Sequence, residues 1–354
     1  MKITIIGGGN IGTLMAAEFA CKGHDVTMYT SKPDGWQREV SVYDRDDNIL
    51  FKGKLTTITD SMQKAVEDAE YIWVTTPAML FSRVSENMLP YVHSGQKIGV
   101  VPGSGGAEFA FRGLMKKGCI LFGLQRVHSI ARIKEYGKKV YELGRKPEIQ
   151  IGAIPSSAKE DICNVVRNLF NMPCASTDNY LSITLTPSNP ILHTARLYSI
   201  FKEYTLGVTY PRNFLFYEEW TDDSSEILLA CDKELQILCD VIPLDLSSVK
   251  SLREHYESKT IAAMTKKISG INAFKGLTSP MKKVDKGWVP DWDSRYFTTD
   301  FSFGLKIIKD IAGMFKVPTL HMDKIWDWYV ETANPDRAKV FSMQLDTKSF
   351  LEIY

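Results

Sequence analysis

Apolar and polar positions in the first half of the chain follow two alternating periods. Apolar runs of strand length stand at Lys2–Ile6, Asp25–Thr30, Tyr71–Thr75, Lys97–Val101 and Cys119–Gly123, with Pro77 and Pro102-Gly103 closing the third and fourth. Between most of them the spacing becomes helical: Asn10–Lys22 carries Ile11, Leu14, Met15 and Phe19 on one stripe. Strand–helix alternation of this kind predicts a parallel sheet with helices on both faces. Residues 130–154 break the rhythm. Val140–Leu143 and Ile149–Ile154, separated by Gly144–Glu148, predict an antiparallel pair at the sheet's edge, and Ser156–Asn171 a further helix.

Beyond about Asp178 the texture turns helical. Ser224–Val241 places Ile227, Leu228, Cys231, Leu235 and Leu238 on one stripe; Asp223 with Glu226 three residues on predicts a capping box, and Pro243 follows the end. Gly270–Trp292, with three glycines and two prolines, predicts a long loop. The expected organisation is α/β: an N-terminal doubly wound sheet over 1–179 and an all-helical C-terminal domain over 180–354.

Composition narrows the function. Charged residues make up 24% of the 354 and nearly cancel, to a formal net +1, which favours neither nucleic acid nor an anionic membrane as partner. No run approaches the roughly 20 apolar residues of a membrane helix, and none resembles a signal peptide. The six cysteines lack CxxC spacing and read as reduced thiols; no metal site is expected, and cytoplasm is the default compartment.

Gly7-Gly8-Gly9-Asn10-Ile11-Gly12 fits G-x-G-x-x-G directly after a strand and at the opening of a helix, the context that gives this motif its meaning. Gly7 would allow the tight turn, Gly9 the approach of a pyrophosphate, and Gly12 close packing of helix on sheet. The phosphates would meet the backbone N–H groups of Asn10, Ile11 and Gly12 and the positive end of the helix dipole. The end of the second strand carries Thr30, Ser31 and Lys32 where NAD sites usually hold a carboxylate, with Arg38 a further cation nearby; this favours NADPH, with NADH the alternative. Thr76 and Pro77, and the Pro102–Gly106 turn, end later strands and are expected on the nicotinamide side.

Two segments of the second half carry candidate chemistry: Asn189-Pro190-Ile191-Leu192-His193, with Asn189 or Ser188 as a helix cap, and Arg295-Tyr296-Phe297-Thr298-Thr299-Asp300. Together with the glycine motif, the Pro102–Gly106 turn and the Phe216–Glu234 region, they make the chain resemble the opine dehydrogenases, the octopine/nopaline dehydrogenase family. The resemblance implies NAD(P)H-dependent reductive condensation of a 2-oxo acid with the amino group of an amino acid. It further implies that His193 and Asp300 form a catalytic pair, that Arg295 binds a substrate carboxylate, and that Asn189 lies at the substrate site. Histidine suits proton exchange at neutral pH, a carboxylate on its second nitrogen fixes the tautomer, and an arginine fork orients a carboxylate.

The competing arrangement is an exposed Arg295–Asp300 salt bridge of little energetic worth. Two other functions stay open: a ketopantoate-reductase-like 2-oxo acid reductase, which would want a lysine near His193, and a non-catalytic NADPH-binding sensor. His128, near predicted strand ends, is expected to approach the cofactor. Trp288, Trp292, Trp326 and Trp328 are expected in the core, with Trp292 close enough to Arg295 to wall the pocket. The expected partners are small molecules, with no nucleic acid or membrane; a homodimer is compatible.

Overall fold

The structure, a computed structural model, describes residues 1–333, 343 and 345–354. The chain forms two compact units, Met1–Thr184 with Leu351–Tyr354, and Leu185–Phe350. The break falls five residues past the expected one, and the last four residues group with the first unit. A reason is visible within that unit: the Tyr354 phenol donates to the buried Glu108 carboxylate, at 2.9 Å.

The first unit is built on strands β1 (Lys2–Ile6), β2 (Asp25–Tyr29), β3 (Glu39–Tyr43), β4 (Ile49–Lys54), β5 (Thr57–Thr59), β6 (Tyr71–Val74), β7 (Lys97–Val100), β8 (Ile120–Leu124), β9 (Ser129–Glu135), β10 (Lys139–Arg145), β11 (Ile149–Ile154) and β12 (Cys174–Ser176). Eight of them form one sheet in the order β12-β11-β8-β7-β6-β1-β2-β5, parallel except where β11 runs against β8. The five strands expected from the apolar runs are all present, within a residue or so at their ends. The strand order reverses at β1, which lies between β2 and β6, so the turns after these three strands gather at one edge of the sheet, where α/β folds bind ligands.

The expected edge pair does not form. β10 pairs with β9 and β3 in a separate four-stranded sheet, β4-β3-β10-β9, while β11 joins the main sheet. This second sheet packs on helix α1 (Asn10–Cys21). Covered by both sheets, α1 is buried without interruption from Gly12 to Phe19. Glu18 is therefore buried too. Burial alone would raise its pKa, but His128 and Arg145 outweigh that and hold it at about 2; Arg145 Nη2 lies 2.6 Å from Glu18 Oε1 and His128 Nε2 3.4 Å from Oε2.

Among its described residues the second unit is helical apart from a two-stranded ribbon, β13 (Met281–Val284) against β14 (Gly287–Pro290), which sits in the stretch expected to be a loop and corrects the all-helical expectation. A four-residue strand of mixed polarity carries little periodic signal, and Gly287, with φ +146°, opens the second strand of the ribbon in a backbone conformation that side-chain-bearing residues rarely adopt. The long helix runs Asp222–Val241, and its N-cap is Thr221, whose hydroxyl accepts from Ser224 N–H, rather than Asp223. Two stretches are wound as π turns: Ser188–His193, leading into the helix Thr194–Phe201, and Phe301–Leu305, leading into Lys306–Met314. An aromatic core fills the space behind them, with Phe301 stacked on Tyr329 at 4.1 Å and Phe297 against Trp292 at 4.6 Å. Trp292 is thus bound up with the core. No helix among the described residues is long and apolar enough to cross a membrane.

Glu108 is fully buried, and burial drives its pKa up from 4.5 to about 7 against the hydrogen bonds from Thr184 and Tyr354. The folded state then binds more protons than the unfolded state between those values, so stability falls as pH rises through that window, by up to about 3 kcal/mol in all. Glu108→Gln should remove this slope: the drop in thermal midpoint from pH 5 to pH 8 should be clearly smaller in the variant than in the wild type. Parallel curves would show that the carboxyl does not resist ionisation.

Candidate functional site

The glycine turn after β1 is shaped by close contacts. Gly7 has φ +114°, and the Thr75 hydroxyl fixes the turn by donating to the carbonyls of Gly7, at 2.9 Å, and Ile6, at 3.1 Å. A Cβ on Gly12 would lie 1.9 Å from the Gly7 carbonyl oxygen, so any side chain there drives α1 off the turn. A Cβ on Gly9 would meet nothing within 4 Å. Gly9 is the N-cap of α1 and offers no side-chain cap; the N–H groups of Asn10, Ile11 and Gly12 have no partner within the helix. The Thr76 hydroxyl, beside Gly7, is buried with no hydrogen-bond partner among the described residues. Open space over Gly9, free amides and an orphaned hydroxyl fit a dinucleotide's phosphates.

Other expected cofactor residues divide. Pro77 ends the same β6 turn and is half-buried. The Asn10 side chain is spent elsewhere, accepting from Ile133 N–H at 2.8 Å and tying α1 to β9. Ser31 and Lys32 are exposed. Thr30 is buried, and its hydroxyl pairs with the Tyr136 phenol at 2.9 Å. Tyr136 comes from the β9–β10 turn of the second sheet, so nothing near Thr30 in the sequence announced it. His128 does not approach this turn: it is fully buried beside Glu18, in the later half of α1, with its ring 4.4 Å from that of Phe170.

In the second unit the two π turns pack together, and a Cβ on Gly304 would come within 3.1 Å of the Pro190 Cβ. His193 closes the first turn and Asp300 immediately precedes the second. His193 Nδ1 and Asp300 Oδ2 consequently stand 2.8 Å apart, across 107 positions of sequence. A carboxylate only accepts, so Nδ1 carries the proton and Nε2 is left as the exchanging nitrogen. Asp300 is committed to His193, and the Arg295–Asp300 salt bridge is absent. Arg295, at the start of the short helix Arg295–Thr298, is exposed and its guanidinium has no partner among the described residues. Asn189 is also exposed and caps nothing; its amide has no hydrogen-bond partner there.

Two contacts of His193 are not legible in the sequence. The Tyr217 phenol lies 2.9 Å from His193 Nε2, and the Tyr296 ring stacks obliquely on the imidazole at 4.7 Å. Tyr217 sits on an irregular segment held by Arg196, which is only 3% exposed and donates to the carbonyls of Phe216, Leu215 and Glu219 and to the Ser224 hydroxyl. Burial lowers the Arg196 pKa to about 10, leaving it charged at neutral pH. The available signal was position: Arg196 follows His193 by three residues and so shares its helical face.

Residues 176–332 match the family model described as NAD/NADP octopine/nopaline dehydrogenase, alpha-helical domain, and residues 2–117 match NAD-dependent glycerol-3-phosphate dehydrogenase N-terminus. The chain is similar to octopine dehydrogenase of Mizuhopecten yessoensis, at 25% identity over 94% of this chain and 90% of the relative. It is also similar to opine dehydrogenase of Haliotis discus hannai, at 28% over 92% and 89%. Among solved structures it resembles octopine dehydrogenase with NADH and L-arginine, with a TM-score of 0.83, 25% identity and 96% of each chain covered.

The contrasting surroundings of the two glycines give a paired test. Gly9→Ala should fold with a near-wild-type thermal midpoint yet bind the dinucleotide at least about tenfold more weakly by fluorescence titration. Gly12→Ala should lose several kcal/mol of stability, because backbone rather than a flexible side chain stands in the way. Equal behaviour of the two variants would refute this account of the turn.

Proposed function

Because the chain belongs to the opine dehydrogenase family, we propose that it catalyses NAD(P)H-dependent reductive condensation of a 2-oxo acid with the amino group of an amino acid. The observation that carries the reading is the hydrogen-bonded His193–Asp300 pair on the same unit as Arg295, which is exposed and has no partner among the described residues. NAD(P)H supplies the hydride when bound. Gly7, Gly9, Ile11, Gly12 and Thr76 would hold its phosphates, and the exposed Ser31 and Lys32, with no carboxylate at the end of β2, favour the 2′-phosphorylated form.

The protein's own part is proton management and positioning. An amino acid arrives as an ammonium, which cannot attack a carbonyl. His193 removes one proton; the freed amine attacks the oxo carbon and gives a carbinolamine. The same proton, returned to the carbinolamine hydroxyl, lets water leave as the nitrogen lone pair forms C=N. One proton thus cycles through one imidazole, which serves as base and then acid. Asp300 holds the tautomer that makes this possible and stabilises the imidazolium between the two steps. Arg295 anchors the 2-oxo acid's carboxylate through its two-pronged fork. His193 stands where a ketopantoate-reductase-like enzyme would want lysine.

His193→Ala should lower turnover by about 10²–10⁴-fold while leaving NADPH affinity nearly intact; a comparable loss of cofactor binding would make His193 structural. Arg295→Ala should act on the oxo acid instead, lowering kcat/KM for it by about a hundredfold. The substrates are tested by pairing pyruvate or 2-oxoglutarate with a panel of amino acids and following NADPH and NADH oxidation at 340 nm. Turnover with oxo acid alone would point to simple 2-oxo acid reduction, and tight NADPH binding with no turnover to a sensor.

A further inference from the structure

Neither nitrogen of His193 faces open space. Nδ1 is held by Asp300 and Nε2 by the Tyr217 phenol, while Tyr296 covers a ring face and Phe216 stands edge-on at 5.6 Å. A substrate must therefore either displace Tyr217 or exchange protons through it. Displacement is opposed on two sides. The Tyr217 ring stacks on Phe274 at 4.2 Å, and the backbone to either side is fixed by Arg196 and by the Phe216 N–H bond to the Leu277 carbonyl, at 2.8 Å. We propose that Tyr217 is the proton-transfer group between His193 and the substrate: its oxygen stands on the exchanging nitrogen of the imidazole, and its hydroxyl proton is the one the reacting atoms receive.

The inference rests on the imine-forming reading above and completes its proton path. When the carbinolamine loses water, the Tyr217 O–H bond breaks toward the departing hydroxyl, the His193 Nε2–H bond breaks toward the Tyr217 oxygen, and the C–O bond breaks as C=N forms. Imidazolium becomes imidazole, Tyr217 ends as the phenol it began as, and no other reactant is needed. In the amine-forming step both transfers run in reverse. Burial raises the Tyr217 pKa far above the usual phenol range, and the Tyr296 hydroxyl is hydrogen-bonded to it, so Tyr217 passes a proton without resting as a phenolate. Tyr296 adjoins Arg295, which brings this path beside the residue assigned to the oxo acid's carboxylate.

The test is Tyr217→Phe in the full chain saturated with NADPH, which removes one oxygen and keeps the ring on Phe274. With pyruvate and the most active amino acid of the panel, kcat should fall about 10²-fold or more, while KM for pyruvate and Kd for NADPH stay within about threefold and the thermal midpoint is nearly unchanged. Retention of kcat within about threefold would overturn the relay while leaving His193 and the proposed reaction standing. If no amino acid supports turnover in the wild type, the imine-forming reading fails, and the contact is tested alone by ¹⁵N NMR of the histidine side chains, with the His193 signal assigned from its loss in His193→Ala. A shifted Nε2 resonance in Tyr217→Phe supports the pairing; an unmoved one overturns it.

Discussion

Two interrupted helices set the geometry on which the second unit's chemistry depends. In a π turn the backbone bond reaches one residue further than in an α-helix: Leu192 N–H bonds to the Pro187 carbonyl at 3.4 Å, and Leu305 N–H to that of Asp300 at 2.9 Å. Each turn is widened, and the two widened turns pack face to face where Gly304 offers no side chain to Pro190. A straight helix at either place would carry His193 or Asp300 round to another face. The widened turns deliver an imidazole and a carboxylate, 107 positions apart in sequence, to the same point at hydrogen-bonding distance. π turns often mark functional sites because their irregularity is retained only where a particular side-chain direction is required.

Three charged groups that the fold buries are handled in three ways. Glu18, enclosed with α1 between two sheets, stays ionised because Arg145 and His128 face it. Glu108 is met by no cation among the described residues, only by the Thr184 and Tyr354 hydroxyls and its own backbone N–H, and one of its oxygens has no partner there, so its neutral form gains ground as far as about pH 7. Arg196 has no carboxylate on its guanidinium among the described residues; it donates instead to three carbonyls and a hydroxyl. A buried guanidinium satisfied by backbone carbonyls rigidifies the chain that supplies them, here the segment bearing Tyr217. Packing and proton chemistry are joined at that residue: the interaction that solves a burial problem also decides what stands on His193.

The sequence displayed the parts of this fold governed by local pattern. The strands of the main sheet are continuous apolar runs because both faces are covered, and the glycine turn has fixed spacing because steric contact leaves no latitude at Gly7 and Gly12. The second sheet was missed since β3, Glu-Val-Ser-Val-Tyr, is short and one-sided, and its pairing with β10 spans nearly a hundred positions. The wrong partner for Val140–Leu143 came from assuming that neighbours in sequence pair. At the site, His193, Asp300 and Arg295 were reached through a family resemblance, and their contact partners only through the structure. Arg196 sits in no recognisable motif, Tyr217 lies in the Phe216–Glu234 region but nothing in its spacing points to His193, and Tyr136 meets Thr30 only because the second sheet folds over α1.

Arg295 and Asp300 show why the order of commitments matters in such a site. Opposite charges five residues apart could satisfy each other, leaving nothing for a ligand. The short helix Arg295–Thr298 ends before that happens: Phe297 is buried in the aromatic core, and the chain turns into the π segment at Phe301. Asp300 is thereby aimed at His193, and Arg295 is left exposed without a counterion among the described residues. An exposed guanidinium costs little to maintain in water, and it gains most from a planar anion presenting two oxygens, such as a carboxylate. The bond that fixes the imidazole's tautomer therefore also keeps the Asp300 carboxylate from pairing with Arg295. Under the roles proposed above, the direction in which that one carboxylate is aimed serves both the imidazole and the arginine.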